Sequence, residues 1–527
     1  MTSNHHFQML WRVTGKSLLL AAVLALACPG VHAQAASAPP IPATKPKPPA
    51  SLTQAINAYI AQPQFARADW GIAVRSLDTS KVLYQHNADR LFVPASNAKL
   101  FTAGLALATL GSNTRIATTL YATSTRVDAK GNLRADLILY GRGDPSLGLP
   151  DGSPDWADKL AAALAQRGVK RIHGNLIADA TYFTGTPIGG GWEANDLQTW
   201  FAAAPSALNV QGNVMHVDVS RDARSCCSIR VTPGAAGVRL VNQTADSSAD
   251  PLGLYRPLGS SALYAIGRMP TKTRKHSYVL SMPDPARTAG NLLREALARQ
   301  GITLAGQVNV LHWPESDPGL TQPGTREIAH IDSPMIAVMV DHMLKHSDNL
   351  YAQSLLLQTG VVAAQRKACA WSNTPDTSAA WALCALRGLQ AKAGIPPSAV
   401  LLSEGSGLAR RDLVTPNAFV QWLAWTRSQP WGPDLRSALP VAGIDGTLEH
   451  RFLDGAANAN LQAKTGTLSH AYALTGFVTD AGGEHLVFSI MLNRYPRWQV
   501  ASEYPDAPSP KVALDDIARL ITQTGAR

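Results

Sequence analysis

Apolar positions along this chain change their period from stretch to stretch, and the changes divide it before any single residue is considered. Leu52 to Ile60 has helical spacing, and Trp70 to Leu77 and Val82 to Gln85 read as a β-hairpin around the polar turn Asp78-Thr79-Ser80-Lys81. The stretch from Pro94 through Leu105, Leu107 and Leu110 to Gly111 is almost wholly apolar, so the helix it predicts is buried nearly all round. From about Arg115 the texture becomes short β-like runs between Gly, Asp and Pro, at Ala135 to Tyr140, Asn175 to Ala178, Val214 to Val219, Ser228 to Thr232 and Tyr278 to Ser281. Within that block helical patterns occur at Trp156 to Gln166 and Ala289 to Gln300. Helical spacing returns at Ile336, Met339, Val340, Met343 and Leu344 behind Ser333-Pro334, read as N-cap and first turn. It stops at His346-Ser347-Asp348-Asn349, restarts over Leu350 to Thr359 before Gly360, and continues through Leu389 and Phe419 to Trp425. Strands follow at Leu461 to Leu468, Tyr472 to Thr479 and His485 to Asn493, and a helix from Pro510 to Ile521 closes the pattern.

Strands at both ends with helices between them predict one antiparallel sheet built by both termini. The expected architecture is α+β and multidomain. Residues 51–114 and 325–527 form one domain, and 115–324 form a mainly β insertion of one or two domains, two being preferred. At 527 residues, 46% hydrophobic and 16% charged, the chain has material for several packed cores. The net charge of +10 suits an anionic polymer or surface, yet no Lys/Arg run or aromatic-interleaved basic stripe occurs, which argues against nucleic acid. Arg12 and Lys16, the apolar run Ser17 to Cys28 and Val31-His32-Ala33 read as a signal peptide over 1–33, cut after Ala33. Lipid attachment at Cys28 is the alternative reading. Residues 34–50, with six prolines, read as a tether. No later run is long enough to span a bilayer. Export places Cys226, Cys227, Cys369 and Cys384 in an oxidising compartment, where Cys369 with Cys384 would close a local loop.

The chemistry starts at Ser96 and Lys99. Residues i and i+3 share a helix face, so the hydroxyl and the amine point into one cleft, and burial favours the neutral amine. That is a base beside a nucleophile. Ser347-Asp348-Asn349 and Lys464-Thr465-Gly466 follow, at an inter-helix loop and on a strand. The three motifs in this order resemble those of penicillin-binding proteins and serine β-lactamases. The long insertion between the first two is similar to the D-alanyl-D-alanine carboxypeptidase/endopeptidase family, the class C low-molecular-mass penicillin-binding proteins. Further matching stretches are Gly143-Asp144-Pro145-Ser146-Leu147, Ala204-Pro205-Ser206-Ala207-Leu208, Asp284-Pro285-Ala286, Gly405-Ser406-Gly407-Leu408 and Leu439 to Leu448. Glu404 departs from the family, which has Asp at that position.

The resemblance implies a transpeptidase domain, an antiparallel sheet with helices, carrying the insertion. It implies Ser96 as nucleophile, Lys99 as general base, Ser347 as proton relay and Asn349 as holder of Lys99 and the substrate amide. The backbone N–H groups of Ser96 and Thr467 would form the oxyanion hole. Lys464, Thr465, Gly466 and Thr467 would bind substrate, Gly466 by leaving the strand edge clear for its backbone. Asp144, Glu193 and Asp196 read as turn or surface carboxylates that could meet an amino group of the peptide, and Ser406 as structural. The activity implied is serine D-Ala-D-Ala carboxypeptidase with D-alanyl endopeptidase action on peptidoglycan stem peptides and cross-links, blocked by β-lactams, in the periplasm. No cofactor and no metal are expected, since Cys-x-x-Cys and His-Glu-x-x-His are both absent. A β-lactamase-type hydrolase and a non-catalytic peptidoglycan-binding protein are the rival readings.

Overall fold

Strand β1 (Asp69–Ser76) pairs antiparallel with β2 (Val82–His86), and the chain then leaves this sheet until β3 (Gln462–Leu468), β4 (Ala471–Thr479) and β5 (His485–Asn493) complete it. The order is β3-β4-β5-β1-β2, so the expected sheet of both termini forms and β5 lies against β1. The computed structural model describes residues 51–221, 226–369, 374–523 and 525. The expected signal peptide and tether lie outside them.

Both faces of this sheet are covered, and the two-residue period of β5 shows how. Leu486, Phe488, Ile490 and Leu492 join Ile56 of the helix Leu52–Ile60 and Ile517 and Ile521 of the helix Pro510–Thr522 in one apolar cluster. Val487 and Met491 point the other way, into a cluster with residues of α1 (Lys99–Leu110), α2 (Ile336–His346), α3 (Asn349–Gln365), α4 (Ser378–Lys392) and α5 (Pro416–Thr426), joined by Leu435 of the short helix Gly432–Ser437. A strand buried on both sides reads as a near-continuous apolar run, which His485 to Asn493 is.

The insertion builds a second five-stranded sheet, in the order Val308–His312, Leu176–Ala180, Leu137–Tyr140, Ala117–Ala122, Arg326–Asp332. The helices Trp156–Gln166 and Pro285–Arg299 contribute to its core. Two three-stranded sheets within 214–281 enclose a separate small cluster around Met215, Val217, Leu263 and Met269. Cys226 is bonded to Cys227, and Cys369 to Cys384.

Four sequence expectations are corrected. The strand Arg326–Asp332, assigned above to the domain resuming at 325, pairs with Ala117–Ala122 in the insertion sheet, so the return falls at Ser333. Ser333 does not cap α2, whose N-cap is Met335; its hydroxyl accepts the Ile116 N–H and donates to the Pro334 carbonyl, tying the two crossings together. α3 runs through Gly360, because there the helix crosses the start of α4 so closely that a Cβ would lie 1.7 Å from the Ser378 carbonyl oxygen. The helix expected from Ala289 starts at Pro285, where Asp284 accepts the Arg287 N–H as N-cap.

Candidate active site

Ser96 sits on the single 3₁₀ turn Ala95–Ala98 that feeds α1. The turn is tight enough to hold Ala95 at φ 47°, a left-handed conformation rare outside glycine. Asn97 ties it to the sheet by donating to Thr475 Oγ1 on β4 at 2.7 Å. Behind it α1 is buried from Lys99 to Leu107, with Phe101 lying against Phe419 and Trp422 of α5, whose indole donates to the Leu100 carbonyl. Rigid packing on every side fixes where the Lys99 side chain emerges.

Lys99 is fully buried, and its Nζ lies 3.0 Å from Ser96 Oγ, 2.6 Å from Asn349 Oδ1 and 2.7 Å from the Ser406 carbonyl oxygen. Burial drives its pKa down to about 8, against the opposing charges of Glu404 and Asp348. In the neutral amine, two N–H bonds satisfy Asn349 and Ser406, and the lone pair is left for the Ser96 hydroxyl.

The loop between α2 and α3 brings the second motif. Ser347 closes α2 in the left-handed conformation, φ 60°, and Asp348 opens α3 by accepting the Tyr351 N–H at 3.0 Å. This reversal turns Ser347 Oγ toward Lys464 of β3, whose Nζ donates to it at 2.8 Å and to the Thr465 carbonyl at 2.8 Å. Lys464 is also fully buried, and burial, reinforced by the nearby Lys99, holds its pKa far below the usual lysine range. Two buried lysines that disfavour each other's charge define one proton-poor cleft between α1, the α2–α3 loop and the sheet edge.

The structure therefore brings Ser96, Lys99, Ser347, Asn349 and Lys464 together. Thr465 donates to Thr447 Oγ1 at 2.8 Å, and Thr467 is exposed farther along β3. A Cβ on Gly466 would lie 2.6 Å from the Pro94 carbonyl oxygen and 3.2 Å from Ala95, so its bareness lets β3 pack against the turn that carries Ser96. Asp144 is buried, accepts the Ser146 N–H and hydroxyl, and is pushed up to about 6 by burial: a turn residue. Glu193 pairs with Arg410 at 2.7 Å, and Arg410 also donates to the Ser469 carbonyl just beyond Thr467.

A family model for D-Ala-D-Ala carboxypeptidase 3 (S13) matches residues 52–511. The chain belongs to that S13 family. A D-alanyl-D-alanine carboxypeptidase of Actinomadura sp. (strain R39) is 31% identical over 489 residues, which span 89% of this chain and 84% of that protein. A D-alanyl-D-alanine carboxypeptidase of Haemophilus influenzae is 27% identical over 446 residues, 83% of this chain and 88% of that protein. The crystal structure of penicillin binding protein 4 from Haemophilus influenzae superposes with TM-score 0.73 at 24% identity, over 86% of this chain and 96% of that one, and shows the same fold.

Two groups that complete this cleft are backbone carbonyls, which no residue type announces. Ser406, read as structural, presents its carbonyl to Lys99. The Phe201 carbonyl of the insertion accepts from Asn349 Nδ2 at 2.7 Å.

Proposed function

We propose that this S13 enzyme cleaves the D-Ala-D-Ala bond of peptidoglycan stem peptides through an acyl-enzyme on Ser96, with Lys99 as the base. The observation that carries it is the Lys99 amine, buried and bonded to Asn349 and Ser406 so that its lone pair faces Ser96 Oγ. Lys99 takes the hydroxyl proton as Oγ bonds to the carbonyl carbon of the penultimate D-Ala. The oxyanion is stabilised by the backbone N–H groups of Ser96 and Thr467, each donor of this kind being worth about 3 kcal/mol of barrier. Ser347, held by Lys464, passes a proton to the departing amine. Lys464, Thr465 and Thr467 receive the terminal carboxylate as N–H and hydroxyl donors. Water then hydrolyses the ester and frees Ser96.

A D-alanyl cross-link presents the same carbonyl with a different amine behind it, so endopeptidase cleavage needs no further catalytic group. A β-lactam offers a strained amide to the same hydroxyl and leaves Ser96 acylated. The paired cysteines and the N-terminal pattern support a periplasmic location. Among the described residues no helix is long and apolar enough to cross a membrane. The peptidase domain on this reading is 51–114 with 333–527, and 115–332 is an insertion with two cores.

The test is intact-protein mass after mixing with benzylpenicillin, alongside release of D-Ala from a D-Ala-D-Ala peptide. A penicilloyl adduct on the native protein that is absent from Ser96→Ala, with D-Ala release lost in the same variant, is expected. Antibiotic left whole and no adduct would remove the enzyme reading. Antibiotic destroyed without an adduct would make the protein a β-lactamase.

A further inference from the structure

We propose that Glu404 and Asp412 share one proton beneath Lys99 and act as a positioning pair, keeping a single negative charge under the amine. The proposal rests on Lys99 being the base and extends that reading to two residues outside the three motifs.

Both side chains are fully buried. Glu404 is surrounded by donors: Oε2 accepts the N–H and the hydroxyl of Ser406, each at 2.6 Å, and Oε1 accepts the Ala409 N–H at 3.4 Å. This suits an ionised carboxylate. Asp412 is different. Its Oδ1 accepts the Ser403 N–H at 2.8 Å and the Ser403 hydroxyl at 2.6 Å, its Oδ2 is buried with no hydrogen-bond partner, and its carboxyl group lies within interaction range of Glu404. Two oxygens that can only accept are stable side by side in a dry interior if one carries a proton, and the orphan oxygen then becomes an O–H donating to Glu404. Burial, then the Glu404 charge, push Asp412 up to about 9, which agrees with that assignment.

The pair is linked to the chemistry through one residue. Ser406, clamped by Glu404, presents the carbonyl that takes one N–H of Lys99. Glu404 also raises the proton affinity of Lys99, against burial. The charged groups facing this amine are Glu404, Asp348 and Lys464, with Asp412 one step behind Glu404. With Asp412 protonated, the loop contributes one negative charge. Once Asp412 ionises it contributes two, Lys99 holds its proton more tightly, and the O–H bond that fixes the loop is gone. Glu404 is thus the charged partner of the pair.

The experiment is the rate of Ser96 acylation by a chromogenic β-lactam, measured on the whole mature protein from neutral to strongly alkaline pH. The native rate should rise as Lys99 loses its proton, around pH 8, and fall as the pair loses its own, around pH 9. Asp412→Leu, which removes the donor, should slow acylation by about tenfold. Asp412→Asn, whose amide can donate to Glu404 but cannot ionise, should rescue that loss and remove the alkaline fall. Glu404→Gln combined with Asp412→Asn leaves no negative charge on this loop, with Asp348 unchanged, so the rising limb should move to lower pH by about half a unit or more. An alkaline fall that persists in Asp412→Asn, or a rising limb unmoved in the double variant, overturns the proposal. If the variants do not fold, the native infrared spectrum decides: a carboxylic-acid carbonyl band that disappears around pH 9 is expected, and its absence overturns the pair. Failure of the Lys99 reading looks different, since the native profile would then lack the rising limb around pH 8 whatever the Asp412 variants did.

Discussion

At the scale of single residues, the proposed mechanism turns on how Lys99, as the base, is kept neutral. Lysine free in water is almost wholly protonated at neutral pH, whereas a pKa of about 8 leaves roughly a tenth of the amine unprotonated at pH 7. Because the shift is downward, the rate of acylation should climb as pH rises toward 8 and level off where the amine is fully neutral, until Asp412 ionises. Stopped-flow acylation across that range checks the sign; a rate that declines from pH 6 upward would rule Lys99 out as the base. Lys99→Ala removes the base and leaves Asn349 and Ser406 with unpaired acceptors, so a loss of about 10²- to 10⁴-fold in acylation is expected. The same measurement on Ser347→Ala should show a smaller loss in acylation than in turnover of a peptide, because a β-lactam keeps its leaving nitrogen tethered.

At the scale of elements, what the sequence makes legible is what side-chain period controls. The β-hairpin at Asp69 to His86 and the strands of the C-terminal part follow from short apolar runs bounded by polar turns, and their bounds shift by a residue at most. Where contact between elements decides, the pattern misleads. Gly360 looks like a helix stop and is a crossing point; Arg326–Asp332 looks like the start of the second half and is the last strand of the insertion. The motifs were readable because each is a run of adjacent residues, whereas the Phe201 and Ser406 carbonyls come from distant segments.

One inter-element contact makes a prediction of its own. His342 on α2 stacks on Tyr351 of α3 and lies between Asp151 of the insertion, 3.0 Å from Nδ1, and Asp348, 3.7 Å from Nε2. Burial disfavours the imidazolium, but Asp348, Asp151 and Asp341 outweigh it, so its pKa is raised. A raised histidine contributes stability that is fully present below its unfolded value of about 6.5 and is lost as pH rises through the folded one. His342→Ala should therefore lower the melting temperature more at acidic than at alkaline pH. Equal losses at both would mean that stacking alone, not charge, holds the α2–α3 loop to the insertion.

At the scale of the whole molecule, the insertion is part of the site rather than an ornament on it. Asn349, one of the residues bonded to Lys99, is oriented from the other side by the Phe201 carbonyl. Phe201 is held by a small cluster that joins insertion to peptidase: Trp192 and Ala202 pack with Leu408 and Ala409, and Ile188, Leu197 and Leu468 border them. This cluster is separate from the large cores around the sheet and within the insertion. Emptying it should open the structure locally instead of unfolding it. Trp192→Ala removes the largest member, so the loop at Phe201 should lose its fixed position, and Asn349 with it. A hydrogen bond of this kind contributes about 1 to 1.5 kcal/mol, which translates to a drop in acylation of about tenfold, with only a small change in the main thermal transition. Measuring adduct formation and melting on the same sample separates the outcomes. An unchanged acylation rate would show that Asn349 is positioned by Lys99 alone, and a collapse of the main transition would show that the cluster supports the whole fold.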